Sequence, residues 1–381
     1  MFDKHMVPRY MLSANMSTDT GFEYVFPAIR GVQAGREYYV SMCPMRLLPK
    51  LFLFNEDELV PELRAQRVLN KNRIPEIARY VVSNATNYVF SAITASINSE
   101  VRFEPLTGAD RKLGSLHIPM SAQFIINDGQ HRRAAIEVAL RENPDLADES
   151  IAVVFFLDIG LERCQQMFAD LNRYAIRPAR SLGVLYDHRD AAARLAKLVV
   201  WKSPVFRDVV EMERSNLSAR SRKLFTLSAI YTATNALVQG FNDNSDKSID
   251  ELAGVAALFW DEAARSFPEW QQVRDRKLTA GDVRRDFIHS HGIALQAIGR
   301  IGALLLREHP AGWKTPLKQL RSIDWSRSNS SLWEGRAMIG GRVSKAGHNV
   351  VLTTNAVKSA MRIPLTPAEQ SVEDAFLRRA S

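Results

Sequence analysis

Residues 124–139 read FIINDGQHRRAAIEVA, and the reading of this stretch decides the fold. Three apolar residues lead into Asn127-Asp128-Gly129, and Gln130-His131-Arg132-Arg133 then opens an alanine-rich segment. The pattern predicts a strand that turns at Gly129, where a residue without Cβ is favoured, and passes at once into a helix. Such a helix start points free N–H groups and the positive end of its dipole out of the strand's end, favouring an anion. Arg132 or Arg133 adds bidentate donors for a phosphate, and Gln130 and His131 add neutral polar contacts. Asp128 has three readings: helix cap, metal ligand beside a phosphate, or orienter of a water. A merely capped turn is the competing explanation, because Asp before Gly is an ordinary N-cap. Capping leaves unexplained two adjacent arginines that diverge by about 100° around a helix.

Working outward, REYYVSMCPMRLLPKLF reads as a strand followed by an extended, Pro-bounded segment. DELVPELRAQRVLNKNRIPEIARYVVSN carries apolar residues at helical spacing and is divided into two helices by Pro75. NYVFSAITASI, SLHIPM, AQFII and the apolar run IAVVFFLDI read as strands. IGLERCQQMFADLNRYA reads as a helix, and beyond it the pattern is almost wholly helical. Residues 322–349, rich in Ser, Gly and basic side chains, read as loop, and TPAEQSVEDAFL as a helix opened by Thr-Pro.

A second constellation lies in FADLNRYAIRPARSL, which holds Asp170, Asn172, Arg173, Arg177 and Arg180. Asp170 and Arg173, three apart, share a helix face, and Asn172 points elsewhere. A basic helix end explains these residues about as well as a site does.

Together, DGQHR and the later LNR…RP resemble the DGQHR-domain family, which includes the DndB proteins of DNA sulfur modification. GVQAGREYYVSM and RIPEIARYVVSNATNYVFSAITASI are similar to the same family. More distantly, the layout resembles the ParB/sulfiredoxin-like fold, in which a strand–Gly–basic-helix box holds nucleotide phosphates. Gly129 to Ala135 falls in the register of the sulfiredoxin Gly-Cys-His-Arg-x-Ala-Ala box. Gln130 stands at the catalytic cysteine, so sulfinic-acid repair is excluded. Against the ParB box Glu-Asn-x-Gln-Arg, Arg173 and Pro178 keep their spacing, while Asn172, Asp170 and Ala169 replace Gln, Asn and the metal-associated Glu. Any metal then depends on Asp128 or Asp170. The resemblance implies nucleotide or phosphate binding by Gly129, Gln130, His131, Arg132, Arg133, Asn172 and Arg173. The cofactor it implies is ATP or another NTP with Mg2+, with Asp128 as the catalytic candidate. No P-loop motif occurs in the chain, so nucleotide chemistry would have to use this box.

The bulk numbers agree with a globular protein: 381 residues, 46% apolar and 24% charged. Cys43 and Cys164 form no metal-binding pattern and read as small buried hydrophobes. No zinc, haem or iron–sulfur cluster is expected. No apolar run reaches the ~18–20 residues of a membrane span, and the N-terminus lacks a secretory pattern, so a cytoplasmic protein is expected. The net charge of +8 is uneven: from residue 200 onward there are 26 Lys/Arg against 19 Asp/Glu, a net +7. The preceding residues hold 24 against 23, a net +1. A basic second half suggests a polyanionic partner. Its clusters name candidate DNA contacts: Arg220, Arg222 and Lys223, then Arg284 and Arg285, then Arg342 and Lys345, joined by Arg177 and Arg180. Each cluster is also explicable as a solvated face. His289 and His291 lack an acidic partner at metal-site spacing and are expected at the surface or partly buried.

These observations predict an N-terminal arm at residues 1–24 and an α/β (α+β) domain with a mixed sheet at residues 25–185. A basic, mainly α-helical domain is expected at residues 186–381. The resemblance implies a DNA-binding protein of a DNA phosphorothioation system that regulates transcription of the modification operon. Its implied partners are double-stranded promoter or operator DNA, other DNA sulfur modification proteins and further copies of the chain, with no membrane. A DNA-stimulated NTPase or nicking enzyme, and a scaffold of the modification machinery, are the alternatives.

Overall fold

Alternating apolar and polar side chains make residues 23–44 a hairpin: β1 (Glu23–Gln33) pairs antiparallel with β2 (Arg36–Pro44). The computed structural model describes residues 22–52, 71–107, 111–157, 161–173, 178–239 and 247–380. The expected N-terminal arm, and the first helix of the Pro75 pair, lie outside the described residues apart from their last positions. The remaining strands of this half are β3 (Ile93–Asn98), β4 (Arg102–Pro105), β5 (Leu113–Pro119), β6 (Gln123–Asp128) and β7 (Ser150–Leu157). They form one mixed seven-stranded sheet in the order β4-β5-β1-β2-β7-β3-β6. Only β3 and β7 run parallel, while every other pair is antiparallel. Phe26, Tyr39, Ile93, Ile97, Leu116, Ile126, Val153 and Phe155 share one core, to which helices add Leu48, Leu51 and Ile136.

Those helices are α1 (Leu48–Leu51), α2 (Ile74–Ser83), α3 (Gln130–Glu142) and α4 (Leu161–Arg173). The segment expected to be extended is therefore helical, with a 3-10 turn at Met45–Leu47 leading into α1. Pro49 stands in the first turn, where its missing N–H costs nothing, and Met45, Leu48 and Leu51 are buried together. Pro75 opens α2 in the same way, as the sequence predicts. Strand β4 had no counterpart in the sequence reading: its residues are mostly exposed, so it carries no buried-face signal.

The chain divides into two compact units, Met1–Ile176 and Arg177–Ser381, ahead of the boundary expected at residue 185. The segment 178–185 belongs to the second unit because Ser181 is buried there, its hydroxyl bonded to Ser228 at 3.1 Å. That unit is mostly helical: α5 (Arg180–Tyr186), α6 (Ala191–Lys202), α7 (Leu227–Val238), α8 (Ile249–Ala264), α9 (Pro268–Arg274) and α10 (Ala280–Asp286). It continues with α11 (Gly292–Glu308), α12 (Lys314–Leu317), α13 (Ser330–Trp333), α14 (Gly347–Ala360) and α15 (Pro367–Ala380). Its core is aromatic, built on Phe206, Phe225, Phe259, Trp260, Phe267, Trp270 and Trp333.

Two expectations change here. Residues 322–349 are not plain loop: Trp325 and Trp333 are buried, their indole N–H groups donating to the carbonyls of Leu320 and Asp324 at 2.9 Å each. Two buried indoles tie down a stretch whose composition is that of a loop. His289 is not at the surface but 1% exposed: the Trp270 indole donates to its Nδ1 at 3.0 Å, and its Nε2 faces Glu269 at 3.4 Å. The carboxylate that the spacing failed to supply comes from another helix.

Candidate functional site

At the end of β6 the backbone turns through Gly129 at φ +107°, a conformation that disfavours any side chain, and α3 starts at Gln130. No side chain caps this helix. Asp128, a candidate cap, instead accepts from Arg132 Nη2 at 2.6 Å, and Arg132 Nη1 donates to the Ser91 hydroxyl. Arg132 Nε is buried and has no hydrogen-bond partner among the described residues. Arg133 takes the other side of the helix: it is 7% exposed, paired with Glu137 at 2.6 Å and bonded to the Pro49 carbonyl at 3.3 Å. The two arginines that capping left unexplained thus divide, Arg132 to the junction and Arg133 to the seam between α1 and α3. Gln130 donates weakly to the Ile126 carbonyl at 3.4 Å. Burial and the charge of Arg73 lower the pKa of His131 against the pull of Asp128, favouring the neutral ring.

Helix α4 approaches β6 through Met167, whose sulfur lies 4.0 Å from the amide nitrogen of buried Asn127. Asp170 on α4 is exposed and accepts from Gln166 at 2.7 Å. The side chains of Asn172 and Arg173 lie outside the described set, as does Arg177. Among the described residues no three His, Cys, Asp or Glu side chains are grouped to hold a metal ion. A magnesium ion here would have to share Asp128 with Arg132 or be carried by the phosphates themselves. The donors suited to a phosphate are the uncapped start of α3 and the Arg132 guanidinium.

The second unit gathers the basic candidates more decisively. A cleft of about 530 Å³ is lined by Arg180, Arg284, Arg285, Arg327 and Lys345, with Ser, Thr and Asn side chains and, among the described residues, no carboxylate. Arg180 lies 5.8 Å from the Tyr231 ring centre, and Tyr231 in turn donates to Asp190 at 2.8 Å. Arg284 donates to the carbonyls of Lys223 and Ser218, and Arg327 to those of Arg285 at 3.3 Å and Gly341 at 2.7 Å. Carbonyl partners leave a full positive charge in place. Among the described residues, Arg285 alone of the five is ion-paired, with Asp286 and Asp282, which raise its pKa. The 17-residue helix α11 begins at this cleft with His291 as a cap that supplies no side-chain acceptor. His291 Nε2 is 2.8 Å from the Arg284 carbonyl, to which it donates as the neutral ring. Burial lowers its pKa to about 4, with the neighbouring guanidiniums of Arg327 and Arg284 adding to the shift. Uncompensated cations, hydroxyls and an uncapped helix start are the chemistry that holds phosphate.

Arg180, the adjacent pair Arg284 and Arg285, and Lys345 are therefore brought to one place from three separate segments. Arg220, Arg222 and Lys223 lie on the adjoining loop, and Arg342 belongs to the small hairpin Met338–Ile339 and Arg342–Val343. Arg207 and the lining role of His291 carry no signal in the sequence: Arg207 is the single cation of SPVFRD, beside Asp208, with no local pattern to mark it.

Residues 26–364 match the DndB family, described as DNA-sulfur modification-associated, and the chain belongs to that family. It is thereby associated with DNA sulfur modification. Comparison with curated proteins gave no match, nor did comparison with solved structures.

Proposed function

We propose that this chain is a double-stranded DNA-binding protein of a DNA phosphorothioation system and regulates transcription of the modification operon. The observation that carries the reading is the acid-free cleft of Arg180, Arg284, Arg285, Arg327 and Lys345 in a protein associated with DNA sulfur modification. Phosphates entering the cleft would exchange condensed counterions for these cations, so affinity should fall steeply with salt. The Gly129 junction is read as a phosphate box of ParB/sulfiredoxin type that takes a nucleotide and tunes DNA binding. Its support is the uncapped start of α3 beside Arg132.

The test is a salt-titrated binding assay on duplex DNA from upstream of the modification genes, with and without ATP or CTP. Steep salt dependence, and a nucleotide effect that Arg132→Ala removes, are expected. Salt-independent binding, or no binding to any duplex, overturns the reading. Metal-dependent nucleotide turnover that disappears in Asp128→Ala while DNA binding persists would instead favour an enzyme.

A further inference from the structure

The cleft described above ends at the loop of residues 215–223, and a second basic cleft lies on that loop's other side. Ala219 lines both, so the loop is the wall between them. The second cleft, of about 680 Å³, has five arginines in its lining, Arg207, Arg220, Arg222, Arg274 and Arg276, against two carboxylates, Asp208 and Asp275. Asp275 is already engaged, accepting from Gln271 at 2.7 Å with Lys277 at 3.9 Å. The loop itself carries Asn216, Arg220 and Arg222, all exposed, with Asn216 in the lining of the first cleft and the two arginines in that of the second. From the geometry we infer that this loop reads DNA: it enters one groove of the duplex, and the phosphates of the two bordering strands lie in the two clefts.

The loop is held stiff from beneath. Arg284 donates to the carbonyls of Ser218 and Lys223, Lys223 Nζ donates to the Asp208 carbonyl at 2.9 Å, and the Ser215 hydroxyl accepts from the Ser181 N–H at 2.9 Å. Within the loop, the Ser221 N–H donates to the Ser218 carbonyl at 3.0 Å and the Lys223 N–H to the Ser221 hydroxyl at 3.2 Å. A fixed loop loses little freedom on binding, and so discriminates between sites better than a mobile one. Arg and Asn are the side chains whose forked donors match base edges, guanine and adenine respectively. Cations in the flanking clefts meet phosphates, which position the protein without specifying sequence. Cleft cations outside the loop would thus position the duplex, and the loop's own Arg and Asn side chains would read it.

This inference rests on the DNA-binding reading and is tested apart from it. The full chain is compared with Arg220→Ala/Arg222→Ala, Arg180→Ala/Lys345→Ala and Arg207→Ala/Arg276→Ala, each checked for an unchanged melting curve. Each is assayed on a mixed-sequence duplex across salt and by selection from a randomised duplex pool. Each cleft pair should weaken binding to every duplex and reduce the salt slope by about 2, one per lost cation. The loop pair, whose arginines also line the second cleft, should abolish the sequence preference found for the full chain, whereas each cleft pair should keep it. The inference is overturned if the loop pair selects the same sequence, if the full chain enriches none, or if either cleft pair leaves the salt slope unchanged. Absence of duplex binding by the full chain overturns the DNA reading itself, and this inference with it.

Discussion

Gly281 on α10 lies directly beneath Ala219: a Cβ on Gly281 would stand 2.1 Å from the Ala219 carbonyl oxygen. No backbone yields that far in place, so the 215–223 loop sits where it does because residue 281 has no side chain. Gly281→Ala should cost about 1–3 kcal/mol of stability, as overpacking does. It should also weaken duplex binding more than Arg222→Ala does, because the whole loop moves. A melting curve and a binding isotherm on the same variant check both, and normal binding would show that the loop position is not what DNA contacts.

The neighbours Arg132 and Arg133 should behave oppositely. Buried Arg133 bonds the Pro49 carbonyl and the partly exposed Glu137, so Arg133→Ala should cost about 2–3 kcal/mol of unfolding free energy. Arg132→Ala removes a more accessible guanidinium paired with Asp128 and should leave melting nearly unchanged while weakening nucleotide binding. Urea unfolding and nucleotide titration of the two variants separate the roles.

The last helix is held by a largely buried ion pair. Arg336 and Glu373 have side chains 11% and 12% exposed, Arg336 also lies over the Phe376 ring at 4.4 Å, and Asn355 donates to Glu373 at 3.3 Å. Removing one partner strands the other charge in the interior. Glu373→Ala should therefore cost about 3–5 kcal/mol. Limited proteolysis should then release residues 367–380 before the rest of the second unit is cut.

Acid should destabilise the second unit through its histidines. Burial holds His289 and His291 below their ordinary values, His291 to about 4. In the unfolded chain both titrate near ~6.5. Between these limits the unfolded state binds protons that the folded state refuses. Stability from these residues is therefore full above about pH 6.5 and declines as pH falls toward 4. The urea midpoint should drop from about pH 7 to about pH 5. His291→Gln keeps a donor for the Arg284 carbonyl but cannot titrate, and should flatten the profile.

Much of the first unit was legible because its signals are local. REYYVSM marks β2, apolar runs mark β6 and β7, and Pro75 marks the start of α2 within its own turn. Misreadings arose where a distant group supplied the decisive contact. Glu269 and Trp270 draw His289 inward, and two indole hydrogen bonds order residues that read as loop.

FIINDGQHRRAAIEVA by itself determined a strand, a glycine turn and a helix, because backbone preference and periodicity act over a few residues. Only the tertiary structure decided that Arg133 is buried beside Pro49 while Arg132 stays at the junction. Only the tertiary structure, too, brought Arg180, Arg284, Arg327 and Lys345 around one cleft without a carboxylate. Charge can be counted along a chain, but whether it is neutralised depends on packing partners far away in sequence.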